Sequence, residues 1–188
     1  VFDEHSFFEL WERIADDEGT SLGPDERIVE QSIAMLREGQ DRVEQWRVHS
    51  HDFRAMQWGI RRVYRRGRRM YAETLGSPSP ELLHDWRRQV KYLWYMMSLL
   101  TPMWPRIIKA LAIEYRLLSV TLGLDHDLIL LRSRLSPDSS NFASVIDAID
   151  RRREGLLKSA QRSGGKLFAE SSRNHVARLA SYWKCWRR

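Results

Sequence analysis

At Leu83, Trp86, Val90, Leu93, Met97 and Leu100, apolar residues recur at alternating steps of three and four. That spacing lines one side of an α-helix and needs other helices to cover it. A strand would need strict alternation, because its successive side chains point to opposite faces of a sheet. No stretch of the chain alternates in that way with the β-branched runs that strands favour. The helical period returns at Ile108, Leu111, Tyr115, Leu118 and Leu122. Two such stripes in succession predict an all-α fold, an antiparallel bundle of long helices. With 188 residues, 43% of them hydrophobic, and eight tryptophans, the chain can bury a substantial core.

Glycine, proline and capping residues predict where the helices stop. A first helix is expected over about 3–17, before the loop Gly19 to Pro24, and a second over about 25–46, which would turn Ile28, Ile33, Leu36 and Val43 towards a core. A third, over about 52–74, ends at Gly76-Ser77-Pro78-Ser79-Pro80. Ser79 then caps a fourth, with Pro80 at its first position and Glu81 in its first turn. A fifth enters at Pro105 and is expected to break at Gly123, with Asp125 or Asp127 capping its resumption. After the loop Ser136 to Ser140, a sixth covers about 142–163, and Gly164-Gly165 leads to a short aromatic tail from Ser172 to Trp186.

Charge divides the chain unevenly. Residues 1–46 hold thirteen Asp/Glu against four Lys/Arg, net −9, and residues 47–188 hold twenty-seven Lys/Arg against twelve Asp/Glu, net +15. An acidic helical segment, 1–46, therefore precedes a basic bundle, 47–188. Such asymmetry implies an anionic partner for the basic part, or an acidic segment that shields it. Between Arg54 and Tyr71 stand seven arginines and no carboxylate. Like charges three or four residues apart on a helix each cost a few tenths of a kcal/mol, so their compensation is expected from elsewhere.

At 100° per residue, Arg54, Arg61, Arg65 and Arg68 fall within an arc of about 60° on the third helix. On the fourth, His84, Arg87, Arg88 and Lys91 span about 100° beside the apolar stripe. Arginine forks match phosphate oxygens in paired charge-assisted hydrogen bonds, lysine adds a compact charge, and histidine can donate a proton. Side by side, the two helices would form one positively charged groove.

These residues also fall into a familiar order. Gly59-Ile60 through Tyr64-Arg65-Arg66-Gly67-Arg68 is followed by Leu83-His84-Asp85-Trp86-Arg87-Arg88, then by Lys91-Tyr92-Leu93-Trp94-Tyr95. Leu118 to Leu122-Gly123 precedes Asp125-His126-Asp127-Leu128, and Gly165-Lys166-Leu167-Phe168-Ala169-Glu170 comes before Arg178 and Tyr182-Trp183. The set resembles the CHAD family, the conserved histidine α-helical domain, over about 46–186. The resemblance implies an all-helical domain that binds inorganic polyphosphate through a basic surface, in proteins linked to polyphosphate granules or metabolism. Carried over residue by residue, it implies binding roles for Arg65, Arg68, His84, Arg87, Arg88, Lys91, His126 and Lys166, to which the arginine ridge adds Arg61. Members usually contain two related halves, each with its own His and Arg/Lys helix, and this sequence shows the later one. The other half is outside this chain, lost, or supplied by a second copy through self-association.

The expected function is therefore non-enzymatic binding of polyphosphate, with no cofactor. One alternative is a metal-dependent phosphohydrolase built on His51-Asp52, His84-Asp85 and His126-Asp127, with His49 adding a His-x-His. Against it, His84 lies in a row of arginines that would repel a metal ion. A second alternative is nucleic acid, for which Trp58, Tyr64 and Tyr95 are the candidate stacking residues. No Gly-x-Ser-x-Gly motif and no phosphate-cradling glycine loop is present. Tyr92 to Leu100, the longest apolar run, is about half of what a membrane span needs. With the single Cys185, that predicts a cytoplasmic protein, at polyphosphate granules if the resemblance extends so far.

Overall fold

The computed structural model describes residues 26–47, 52–135 and 142–188. The helix expected over 3–17, His49, His51 and the loop 136–140 lie outside the described residues. These consist of α1 (Glu26–Glu44), α2 (Arg54–Thr74), α3 (Pro80–Leu100), a 3-10 turn (Thr101–Met103), α4 (Pro105–Arg134), α5 (Ala143–Leu167) and α6 (Ser172–Trp186), with no strand among them. The chain divides into two units, residues 1–49 and 50–188.

In the first unit, α1 buries no side chain. Ile28, Ile33, Leu36 and Val43, expected to face a core, are exposed, Leu36 to 73%. The helical repeat does put them on one side of the helix, within an arc of about 140°. It guarantees an apolar side, not a surface to receive it.

In the second unit, α2 to α5 close into a ring of helices. α2 packs on α3, α3 on α4, α4 on α5 and α5 again on α2, while α6 covers α2. Pairings between helices fix their directions. Gly67 lies against Gln89 and Tyr71 against Trp86, so α2 and α3 run antiparallel. His84 meets His126 and Arg87 meets Gly123 across α3 and α4. Asp125 pairs with Arg153 and Arg132 with Asp150 across α4 and α5. Gln161 donates to the Thr74 carbonyl at 2.7 Å, Gly164 lies against Tyr71, and Phe53 and Tyr64 meet Trp183 and His175. These pairings are all antiparallel, as short connections favour for consecutive helices.

Phe168, just past the end of α5, sits at the centre. Its ring lies 5.3 Å from Tyr64 of α2, 6.4 Å from Trp86 of α3 and 6.2 Å from Tyr115 of α4. Around this cluster Val90, Leu93, Met97, Ile108 and Leu118 are essentially fully buried, each contributing about 1.5–3 kcal/mol of transfer free energy. Glycines make the close approach possible. A Cβ on Gly67 would meet the Phe168 ring at 2.9 Å, and one on Gly164 would meet Trp86 at 2.8 Å and Tyr71 at 2.7 Å. Hence α5 does not end at Ser163 as its glycine pair suggests but continues through Gly164-Gly165 to Leu167. Likewise α4 runs unbroken through Gly123, so Asp125 and Asp127 are interior residues rather than caps. The tail is a full helix, with Ser171 Oγ accepting from the Asn174 N–H at 3.1 Å. α2 begins at Arg54, whose N–H donates to Asp52 Oδ1 at 2.7 Å.

A polar cluster lies between α2, α6 and the chain joining α5 to α6, with Tyr64 and His175 buried and Glu170 and Arg178 half-buried. The His175 ring stacks on Tyr64 at 4.1 Å, and its Nδ1 lies 3.3 Å from Glu170 Oε1, which also pairs with Arg178. The Tyr64 hydroxyl donates to the carbonyls of Leu167 and Glu170, and burial, with the Glu170 charge adding, pushes it up to about 12. Burial holds His175 down to about 4, against the opposing pull of Glu170. Burial also acts to raise Glu170, but the hydrogen bond and charge of Arg178, with those of His175, leave it below the usual carboxylate range.

Two tests follow from this packing. Gly164→Ala should destabilise the fold by about 1–3 kcal/mol through overpacking against Trp86 and Tyr71, whereas Gly155→Ala, with nothing within 4 Å of its Cβ, should be neutral or stabilise by up to about 1 kcal/mol. Urea midpoints separate the two. As for pH, the unfolded chain protonates His175 below its ordinary 6.5 while the folded chain stays neutral down to about 4. Its contribution is therefore complete above pH 6.5 and is lost progressively towards pH 4, and Glu170 adds a loss in the same direction below the usual carboxylate range. From pH 7 to pH 5 the cost should be about 2 kcal/mol, and His175→Asn should narrow the gap between the two midpoints.

Candidate functional site

α3 starts where Ser79 Oγ accepts the Leu82 N–H at 3.2 Å and Pro80 takes the first helical position. Its buried side, from Leu83 through Trp86, Val90, Leu93 and Met97, then fixes where the basic row points. His84, Arg87 and Lys91 lie about 100–160° around the helix from Trp86, on the flank that meets α4. There the Arg87 guanidinium packs over Gly123, its nitrogens 3.1 and 3.3 Å from where a Cβ would stand. Any larger residue would occupy that space. One turn away, the rings of His84 and His126 lie 5.4 Å apart. The result is a basic seam along α3 and α4.

Exposure varies along the seam. His84, Arg88 and Lys91 are exposed, and Arg87 and His126 are half-buried. Arg87 Nε is enclosed with no hydrogen-bond partner among the described residues. Lys91 Nζ stands 6.0 Å from the centre of the Tyr95 ring. Asp85 turns to Arg88, at 2.9 Å, and Asp127 lies 3.5 Å from His126 Nδ1. These two carboxylates thus serve their own neighbours, and no group of three His, Cys, Asp or Glu side chains able to hold a metal ion occurs among the described residues.

Arg116 extends the seam and was not among the residues the sequence singled out. Its Cζ sits 5.9 Å from the Trp94 ring centre on α3, so it faces α3 two turns before Gly123 on the same flank of α4. The signal was available as Arg116 and Gly123 standing seven residues apart. It becomes meaningful only once Gly123 is known to carry Arg87.

The arginine ridge of α2 goes elsewhere. Arg61 and Arg65 are exposed, and Arg68 Nε donates to the Phe168 carbonyl at 3.1 Å, beyond the end of α5. Lys166, exposed in the last turn of α5, is two residues before that carbonyl. The flank of α2 that meets α3 is instead the one at Gly67, which lies against Gln89 of α3. The expected single groove between α2 and α3 therefore does not form. Each helix keeps its basic face, but antiparallel packing in a ring turns one towards α4 and the other towards the α5–α6 junction.

The sequence matches the CHAD domain family over residues 31–136. That span includes α2, α3, α4 and the seam, whereas Lys166 and the segment Gly165 to Glu170 lie outside it. No curated protein matches the chain, and no solved structure does either. No described helix is long and apolar enough to cross a membrane.

Gly123→Ala tests the contact at the centre of the seam. The added methyl should push the Arg87 guanidinium aside by a few tenths of an ångström and move its Nε–H NMR resonance. Because that side chain is flexible, stability should change by less than about 1 kcal/mol. An unmoved resonance would mean that Arg87 does not rest on this glycine.

Proposed function

The chain belongs to the CHAD domain family, and from that premise we propose that it binds inorganic polyphosphate along the α3–α4 seam without turning it over. The observation that carries this reading is the seating of Arg87 on Gly123 with the His84–His126 pair one turn away, and Lys91, Arg88 and Arg116 continue the positive charge. An extended polyanion laid along the seam releases condensed counterions at each contact. Guanidinium forks donate paired hydrogen bonds to phosphate oxygens, and the histidines add donors. Between His84 and Tyr95 the helix rises roughly 16 Å at 1.5 Å per residue, enough for several consecutive phosphates.

On the second face, Arg61, Arg65, Arg68 and Lys166 offer a further basic surface that a long chain could reach after leaving the seam. Longer polyphosphate would then bind more tightly through simultaneous contacts. The proposed setting is the cytoplasm, at polyphosphate granules, where capture localises the protein.

A titration of long polyphosphate, short oligophosphate and Arg87→Ala/Lys91→Ala at two salt concentrations tests the proposal. Affinity should rise with chain length, fall steeply with salt and drop about tenfold or more in the double variant. Indifference to the two substitutions would remove the seam from the reading. Manganese-dependent release of phosphate, abolished by changing His84 and His126, would replace binding with phosphohydrolysis.

A further inference from the structure

Trp58 stands on the outer face of α2 and is 69% exposed. Arg61, Arg62 and Arg65 follow it at three, four and seven residues, so the four side chains share an arc of about 100° on the helix. With Arg66 they line one open depression. The Arg62 guanidinium carbon lies 5.1 Å from the centre of the indole ring, in cation–π contact. The first carboxylate in α2 is Glu73, which pairs with Arg69 at 3.4 Å, so none intervenes among these arginines.

The other two candidate stacking residues differ. Tyr64 is buried, its hydroxyl bound to the carbonyls of Leu167 and Glu170. Tyr95 is half-covered, packed on Trp94 at 4.8 Å and on Lys91. Trp58 alone among the three combines a largely exposed ring with a surrounding set of arginines. A chain of bare phosphates has no flat apolar group to place on an indole. A nucleotide strand has both a base to stack and phosphates for the flanking guanidinium groups.

We infer that the outer face of α2 is a separate site for single-stranded nucleic acid, with one base stacked on Trp58 and the adjoining phosphates held by Arg61, Arg62 and Arg65. The site does not depend on the α3–α4 seam, because the two basic faces lie on different flanks of the bundle. Its ligand class also differs from that of the seam, since the base supplies part of the affinity.

The test uses the full chain with three probes: an oligothymidylate, an abasic strand of the same length, and polyphosphate. Wild-type protein should bind the oligothymidylate about tenfold more tightly than the abasic strand, the effect of one stacked base. Trp58→Leu should abolish that difference and leave abasic-strand and polyphosphate binding unchanged. Far-UV circular dichroism should confirm the fold, since the side chain supports no core contact. The inference is overturned if the two strands bind equally to wild type, if neither binds, or if Trp58→Leu leaves the difference intact or weakens all three probes alike. Polyphosphate binding and its loss in Arg87→Ala/Lys91→Ala are read in the same assay, so failure of the seam is distinguishable from failure of this site.

Discussion

The second unit is organised around the ring of Phe168, which touches aromatic side chains from three different helices. A phenyl group fits there because Gly67 and Gly164 carry no side chain where Phe168, Trp86 and Tyr71 come together. Interiors at crystal-like packing density leave no slack for an additional methyl at such points. The glycine pair in α5 is thus a packing device inside a continuous helix, and its conformational freedom is incidental to that role.

This centre also determines which way the charges face. Once Trp86, Val90 and Leu93 are directed inwards, the helical repeat sends His84, Arg87 and Lys91 to the flank shared with α4, where Gly123 admits the Arg87 guanidinium. On α2 the same logic sends Arg68 towards the carbonyl of Phe168. Arg68 therefore tethers the end of α5 in addition to carrying charge, and a loss of binding on its removal would need to be separated from a loss of packing. The polar cluster of Tyr64, Glu170, His175 and Arg178 reinforces the same junction from the side of α6.

Much of the bundle could be read along the chain. The stripe from Leu83 to Leu100 is buried as its period predicts, as are Ile108, Tyr115, Leu118 and Leu122. The Ser79-Pro80 start of α3 has the expected cap. Glycine reads ambiguously along a chain, because a breaker in local propensity and a space-maker in packing are the same residue. At Gly123 and Gly164 the second role prevails. On α1 the pattern marks an apolar side that stays exposed, since burial needs a facing surface that no local pattern encodes.

Two properties, helical periodicity and the clustering of charge along α2 and α3, are local in sequence, and they were sufficient to establish an all-α chain with two basic faces. Which neighbour each face meets is a property of the closed ring. The junction of His84 with His126, the passage of Arg87 over Gly123, the recruitment of Arg116 and the turning of the α2 ridge away from α3 all join residues on different helices or beyond a helix end. Their relative placement follows from antiparallel packing around Phe168, because a helix's own repeat sets directions about its axis and carries no information on what stands in those directions.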